Sequence, residues 1–540
     1  MRRFVLLVVP LLWAGSAQAR VNVAGKHFNA WYDAESRDDD GFFSEFSLIN
    51  YFFTRLSVTN QLPDPAGLRG VSLGPIGIGK STGSATRVHG DTEAFLVEQR
   101  WIPVLTFSPH FTSGWAAFRA AVEVDFAWGI AANTVQPNQG GGFNADQINM
   151  QTKSVYAAIF PTRKARKLAV LLGTQPVYDS VLNPHDTSLF DIIRTGYKLS
   201  FLGSDATGVS IYSSYLGLAK LSVLPFGAAQ PDKALEDDPS FKWVYLITAD
   251  VAYPVMPGTV LGLSYWHLQD NTKGAAFAYE GLVNSGPAST GLSSFTGTGR
   301  LNMDKPTGHV EYLGFNFHHN IKFHTGPLAA SGFVMYNLGE YKSNKDDTQL
   351  AKKISINGLA ANLELDYNIG KTADDLVTLE LMYTTGDGDP TDDEYSSPFT
   401  MNFYGLPGAV WFNHRTLILF PFTSTVSNYT GAVTDISNQG FGLVSAIATG
   451  AYDIIPYRLN LKLGYAFAMS SADPPDLTQG VDRGRYIGSE INAELRYHIR
   501  YLMTVGLHGA YMIRGSFYDG NEQVTANPWA FFTTFTWYAF

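Results

Sequence analysis

The stretch WAAFRAAVEVDFAWG, residues 115–129, alternates strictly. Phe118, Ala120, Val122, Val124, Phe126 and Trp128 fall on one side, and Arg119, Ala121, Glu123, Asp125 and Ala127 on the other. A strand sends successive side chains to opposite faces, so this segment has one apolar, aromatic face and one charged face. The pattern returns at 360–368, where Ala361, Leu363, Leu365 and Tyr367 oppose Asn362, Glu364 and Asp366. It returns again at 458–469, where Leu459, Leu461, Leu463, Tyr465, Phe467 and Met469 oppose Arg458, Asn460, Lys462 and Gly464. In 487–498, Ile487, Ile491, Ala493, Leu495 and Tyr497 oppose Glu490, Asn492, Glu494, Arg496 and His498.

An antiparallel sandwich also alternates, but its strands run to about 5–6 residues. These runs last about 10–15 residues, long enough to cross a bilayer at a tilt. Aromatic groups such as Tyr51-Phe52-Phe53 and the stretch 529–540 suit interfacial girdles. The fold expected is therefore all-β, a single transmembrane antiparallel barrel.

Strands are expected near 45–59, 93–107, 115–129, 148–160, 167–175, 193–203, 207–217, 241–253 and 258–269. The remainder are expected near 307–320, 327–341, 352–368, 375–385, 440–453, 457–470, 485–499, 501–515 and 528–540. That is about eighteen, an even number as a single-chain bacterial barrel requires. Connectors alternate in length. Long ones cover 60–92, 218–240, 270–306 and 386–439, and short ones include Gly203 to Thr207, Pro254 to Pro257 and Ile454 to Pro456. Short turns belong in the periplasm and long loops outside, so both chain ends are expected in the periplasm.

Composition fits this reading. The 540 residues are 45% hydrophobic and 14% aromatic but only 16% charged, too few charges to coat several soluble domains. A net charge of −10 argues against nucleic acid as a partner. The absence of cysteine removes disulfides, thiolate metal sites and cysteine nucleophiles. At the start, Arg2 and Arg3 precede an apolar run from Phe4 to Trp13 and then Ala17-Gln18-Ala19, the layout of a secretory signal. The expected organisation is a signal peptide at 1–19, a periplasmic or lumenal segment at 20–42 and a barrel over 43–540. The location expected is the bacterial outer membrane.

Charge on the lipid side costs about 2–4 kcal/mol for Arg or Lys at the midplane, so charged strand residues should line the lumen. Parity selects Arg119, Glu123, Asp125, Glu364, Asp366, Glu380, Arg458, Lys462, Glu490, Glu494, Arg496, His498 and Arg514 as the candidate substrate path. Arg458, Lys462, Glu490, Glu494 and Arg496 lie on consecutive strands and are expected to form one cross-strand network. The final Tyr538 and Phe540 match the aromatic ending that the barrel-assembly machinery reads, and they also close the last strand on the first.

From about Leu376 onward the chain resembles the alginate-export family of outer-membrane barrels. The resemblance rests on Thr385-Gly386-Asp387-Gly388-Asp389-Pro390-Thr391-Asp392, on Tyr486 to Asn492, and on Arg514-Gly515. It implies passive export of a secreted polysaccharide through a charged lumen, with periplasmic export components as partners. The mixed signs of the lumenal set leave a neutral or zwitterionic polysaccharide, or a small solute taken up, as alternatives. A surface adhesin built on the 386–439 loop is a further one.

Other motifs carry less. Gly74 to Ser81 spells a phosphate-binding loop, but no helix pattern follows it. Asp387, Asp389, Asp392 and Asp393 are weak calcium candidates that lack the full loop spacing. His318, His319 and His324 cannot share one face. No nucleophile motif points to an enzyme and no cofactor is implied. The remaining expected partner is outer-membrane lipid, around a monomeric barrel.

Overall fold

The computed structural model describes residues 46–63, 76, 86–91, 93–129, 147–161, 168–178, 203–213, 215, 218–226, 244–271, 303, 306–321, 323–343, 352–389, 392–399, 415–420, 431–433, 436–476, 480–500 and 502–539. The expected signal peptide, the 20–42 segment and Phe540 lie outside them. Eighteen antiparallel staves form the barrel. The first six are β1 (Phe46–Thr59), β2 (Ala94–Phe107), β3 (Ala116–Gly129), β4 (Gln147–Ile159), β5 (Leu168–Tyr178) and β6 (Gly203–Ser213). Next come β7 (Leu218–Phe226), β8 (Val244–Met256), β9 (Thr259–Asp270), β10 (Thr307–His319), β11 (Leu328–Lys342) and β12 (Lys353–Asn368). The last six are β13 (Leu376–Thr384), β14 (Leu443–Ile455), β15 (Leu459–Met469), β16 (Tyr486–Arg500), β17 (Met503–Arg514) and β18 (Trp529–Ala539). Each stave pairs with its neighbours in sequence, and β1 pairs with both β2 and β18, so the sheet closes and has no free edge.

The side-chain period explains why this sheet closes around a lumen. Along β12 buried residues alternate with partly or fully exposed ones, and the exposed positions carry Leu363 and Tyr367. Neighbouring staves expose Leu338, Leu379, Leu381, Leu463 and Ile491 on the same outer surface. Tyr253, Tyr367, Tyr452, Tyr497 and Trp537 stand exposed toward the rim of short turns. So wide an apolar belt bounded by aromatic rings is stable in lipid and not in water. The protein is an outer-membrane barrel, and the rim of short turns is its periplasmic side.

This belt sets an expectation for Leu379, whose partners across the sheet are Leu365 and Ala448. Leu379→Arg places a guanidinium in hydrocarbon at a cost of about 2–4 kcal/mol. The folded, heat-modifiable band on a detergent gel should fall sharply, while Thr378→Ser, facing the lumen, leaves it unchanged. Equal folded yields for both variants would remove lipid from that face.

Sequence and structure part company in three places. The expected strand at 193–203 lies outside the described residues but for Gly203, and Gly203 to Thr207 is strand, not turn. The missing stave is β7, inside the expected 218–240 loop, where Lys220 and Ser222 point inward and Leu221 and Val223 outward. Second, Ile487 faces the interior. A bulge opposite Ala468 and Met469 skips it in the register, and Gly488 there adopts φ +157°. Third, Tyr51 and Phe53 sit in mid-strand with their rings inward, and Tyr51 packs 5.0 Å from the Tyr538 ring. They do not belong to a girdle.

Candidate functional site

The lumenal wall carries charge in matched cross-strand pairs. Arg55 stands directly opposite Glu98 and reaches it at 2.8 Å. Lys220 stands opposite Asp250 at 3.2 Å, and the Trp266 indole donates to the other Asp250 oxygen at 3.0 Å. Lys462 is opposite Glu494 and pairs with it. The second Glu494 oxygen meets His508 Nδ1 at 2.9 Å, and His508 Nε2 meets the Thr534 hydroxyl at 2.9 Å. This last chain spans β15 to β18. Away from bulk water an unpaired charge is costly, so in-register partners are what allow these groups to line the wall.

One pair breaks the rule. Glu364 and Glu380 are directly opposite on β12 and β13, both buried and both acidic. Like charges so placed repel. The cation that resolves them comes from neither strand. Arg415, in the connector between β13 and β14, reaches Glu364 with Nη2 at 2.6 Å and Glu380 with Nε at 2.9 Å. Burial works against its charge, but Glu364, Glu380 and Asp366 hold the guanidinium above the usual arginine range. Asn362 donates to Glu380 at 2.9 Å and Thr378 to Asp366 at 2.5 Å, which fixes the carboxylates around it.

A second anchor lies two residues further along the connector. The Glu490 carboxylate, on β16, accepts the backbone N–H groups of Leu417, Ile418 and Leu419 at 2.7, 2.9 and 2.5 Å. Asn492 adds a side-chain donor at 2.8 Å. The Thr416 hydroxyl closes a turn by accepting the Phe420 N–H at 3.1 Å. Beyond the turn, Ala432 and Val433 donate backbone hydrogen bonds to Ile418 and Leu419, both at 2.9 Å. Ile76, from the first long connector, donates to Gly431 at 3.1 Å. Leu419, Phe420, Val433 and Ile436 join one buried apolar cluster with the inward wall residues Trp266, Tyr312, Phe333 and Met335. Nearer the start of the same connector, the Phe399 carbonyl accepts from the Tyr312 hydroxyl at 2.7 Å. The described parts of this connector therefore lie inside the barrel and narrow it.

Only some of the inward candidates meet this constriction. Glu364, Glu380 and Glu490 hold the connector, and Asp366 and Thr378 flank it. Lys462 and Glu494 meet, Arg496 bonds Asn460 at 3.2 Å, and Glu490 turns instead to the connector. Arg458 does not join at all: it lies in the exposed periplasmic turn between β14 and β15, one residue short of the strand. Arg119 is buried on the inner face of β3, and the side chains of Glu123 and Asp125 lie outside the described residues. His498 bonds Thr504 at 2.9 Å. Arg514 sits at the external rim, 3.4 Å from Asp519.

The weak motifs settle differently. Asp387 and Asp392 accept the N–H groups of Asp389 and Glu394 in local turns, and among the described residues no three His, Asp or Glu are grouped to hold a metal. Of the loop Gly74 to Ser81 only Ile76 is described, and its N–H is spent on Gly431. Tyr538 pairs with Tyr51 in the closing seam. Arg415 was missed because it lies in a connector without periodicity. Two signals pointed to it: opposed inward carboxylates that require a cation, and the apolar run Leu417-Ile418-Leu419-Phe420 in a segment expected to face water.

No protein-family model matches the chain, and no curated protein matches it either. Solved structures similar to it include Pseudomonas aeruginosa OpdQ (10% identity, 92% of this chain and 99% of that one, TM-score 0.46). Acinetobacter baumannii OccAB1 is similar at 11% identity, over 92% of this chain and 97% of that one, with TM-score 0.45. The outer-membrane protein OprD from Pseudomonas aeruginosa is similar at 11% identity, over 92% and 94% of the two chains, with TM-score 0.44. The expected resemblance to the alginate-export family is corrected accordingly: no family model matches, and none of the similar structures named above is described as an alginate exporter. At such identities the likeness is one of barrel architecture, not of substrate.

Proposed function

We propose that this barrel is a substrate-selective uptake channel for a small polar solute, with the connector carrying Arg415 as its size filter. The observation that supports this most is the double anchoring of that connector inside the bore, by Arg415 on Glu364 and Glu380 and by Glu490 on three successive amides. A polymer extruded through the barrel must keep a long chain threaded in it. A segment tied at two points within the lumen suits discrete solutes that pass one at a time. The charged wall, with opposite signs paired between β1 and β2, between β7 and β8 and from β15 to β17, offers polar contacts without a single dominant sign. The aromatic ending at Tyr538 and Phe540 remains our candidate for the signal read during membrane insertion.

The test is solute influx into liposomes containing the purified protein, alongside ion current in planar bilayers. Solutes the size of a monosaccharide or an amino acid should enter, and a decasaccharide should not. A barrel that carries no current, or one that admits the decasaccharide as fast as the monomer, would overturn the reading.

A further inference from the structure

We propose that a recess under the last external connector, between β17 and β18, is an outer docking site for a small neutral polyol such as a monosaccharide or disaccharide. The proposal rests on the uptake reading, whose substrate class it names. The recess has a volume of about 430 Å³, and its polar lining comes from Arg514, Ser516, Asp519, Thr525 and Asn527. That is within the usual range of small-ligand sites and leaves room for one or two sugar rings with water.

The chemistry of the lining is what selects the class. Arg514 Nη1 meets Asp519 Oδ1 at 3.4 Å, a long contact between two partly exposed side chains. A guanidinium carries five N–H donors and a carboxylate has about four acceptor positions. Among the described residues this pair uses one of each, so donors and acceptors stand side by side and unspent. An anion drawn to Arg514 is opposed by Asp519, and a cation drawn to Asp519 is opposed by Arg514. A vicinal diol both donates and accepts, and it satisfies the two together. Among the described residues the only apolar side chain in the lining is Ala526, which gives an apolar ligand little to pack on.

The walls are fixed in advance. Asn527 is held by the Arg514 N–H at 3.1 Å and by the Tyr511 hydroxyl at 2.8 Å. The Thr525 hydroxyl meets His89 Nδ1 at 3.0 Å, and the Thr525 and Ala526 N–H groups donate to the Val88 carbonyl at 2.9 and 3.3 Å. Thr86, two residues before Val88, bridges to Ile76, whose N–H is bound by Gly431. The support of the recess is thus continuous, through backbone pairing, with the segment that narrows the bore. The docking site and the constricting segment are thereby mechanically linked.

The experiment is titration calorimetry of the full-length protein in detergent with glucose and maltose, and in parallel with glycine, lysine and succinate. It is paired with planar-bilayer current recorded while the same solutes are added to one side at a time. Both sugars should bind the native protein and modulate the current from the external side. Arg514→Ala and Asp519→Asn, each checked for a folded, heat-modifiable band, should bind sugar about tenfold more weakly or worse. The site is refuted if the conducting protein binds neither sugar, if both folded variants bind as the native protein does, or if an amino acid or succinate binds in preference. Sugar binding by a barrel that carries no current would sink the uptake reading and leave the site standing.

Discussion

Glu490→Ala is expected to raise single-channel conductance severalfold and to admit solutes that the native barrel excludes. The carboxylate holds three consecutive amides of the inward connector at 2.5–2.9 Å. Hydrogen bonds to a charged group contribute about 1.5–3 kcal/mol each, and neighbours sharing one acceptor add less than fully. Losing the set should weaken the anchor by about 3–6 kcal/mol. On the scale where 1.4 kcal/mol is tenfold, that moves a rarely detached segment to one often detached. Glu490→Gln keeps an oxygen acceptor of the same shape and should lie between the two. Current recordings of the three proteins decide the matter, with liposome influx of graded sugars as the second reading. A folded alanine variant with native conductance would show that the segment is held in place without Glu490.

The reach of the sequence can be judged on particular residues. Lipid imposes an apolar outer face on every stave, so a period of two survives along the whole chain, and 115–129 was enough to read it. The same parity placed Glu364, Glu380, Glu490 and Glu494 on the inner wall. It failed where the backbone departs from the simple pleat. The bulge at Ile487 turned an expected outward residue inward, and the short β7, with Pro225 near its end, read as loop. Arg458 illustrates the boundary problem, since one residue separates a lumenal position from a turn. The constriction was hidden for a deeper reason. A connector folding back into a barrel obeys no period, and Arg415 finds its partners 51 and 35 positions earlier in the chain only because both strands place carboxylates at one height. The inward placement of those carboxylates was legible; their register and the segment that relieves their repulsion were not.

Arg415→Ala should have the largest effect on stability, and its rescue is what makes the test specific. The substitution leaves Glu364 and Glu380 facing each other, each only 1% exposed at its side chain, with their shared cation gone. Removing one member of a buried ion pair costs about 3–5 kcal/mol, chiefly through the charge left behind. Here two like charges are left. The barrel should lose its heat-modifiable fold at a clearly lower temperature, and the connector should detach from the wall. Because two carboxylates then lose the Arg415 charge, the reversal potential in a salt gradient should shift toward potassium over chloride. Arg415→Lys should recover only part of this, since an ammonium is a point charge and cannot present the guanidinium fork that engages both glutamates. Combining Arg415→Ala with Glu364→Gln and Glu380→Gln removes the repulsion and should restore thermal stability and reverse the gain in cation preference, while conductance stays high because the connector is still released. If the triple variant is no more stable than Arg415→Ala, the loss comes from packing around the arginine and not from the opposed carboxylates.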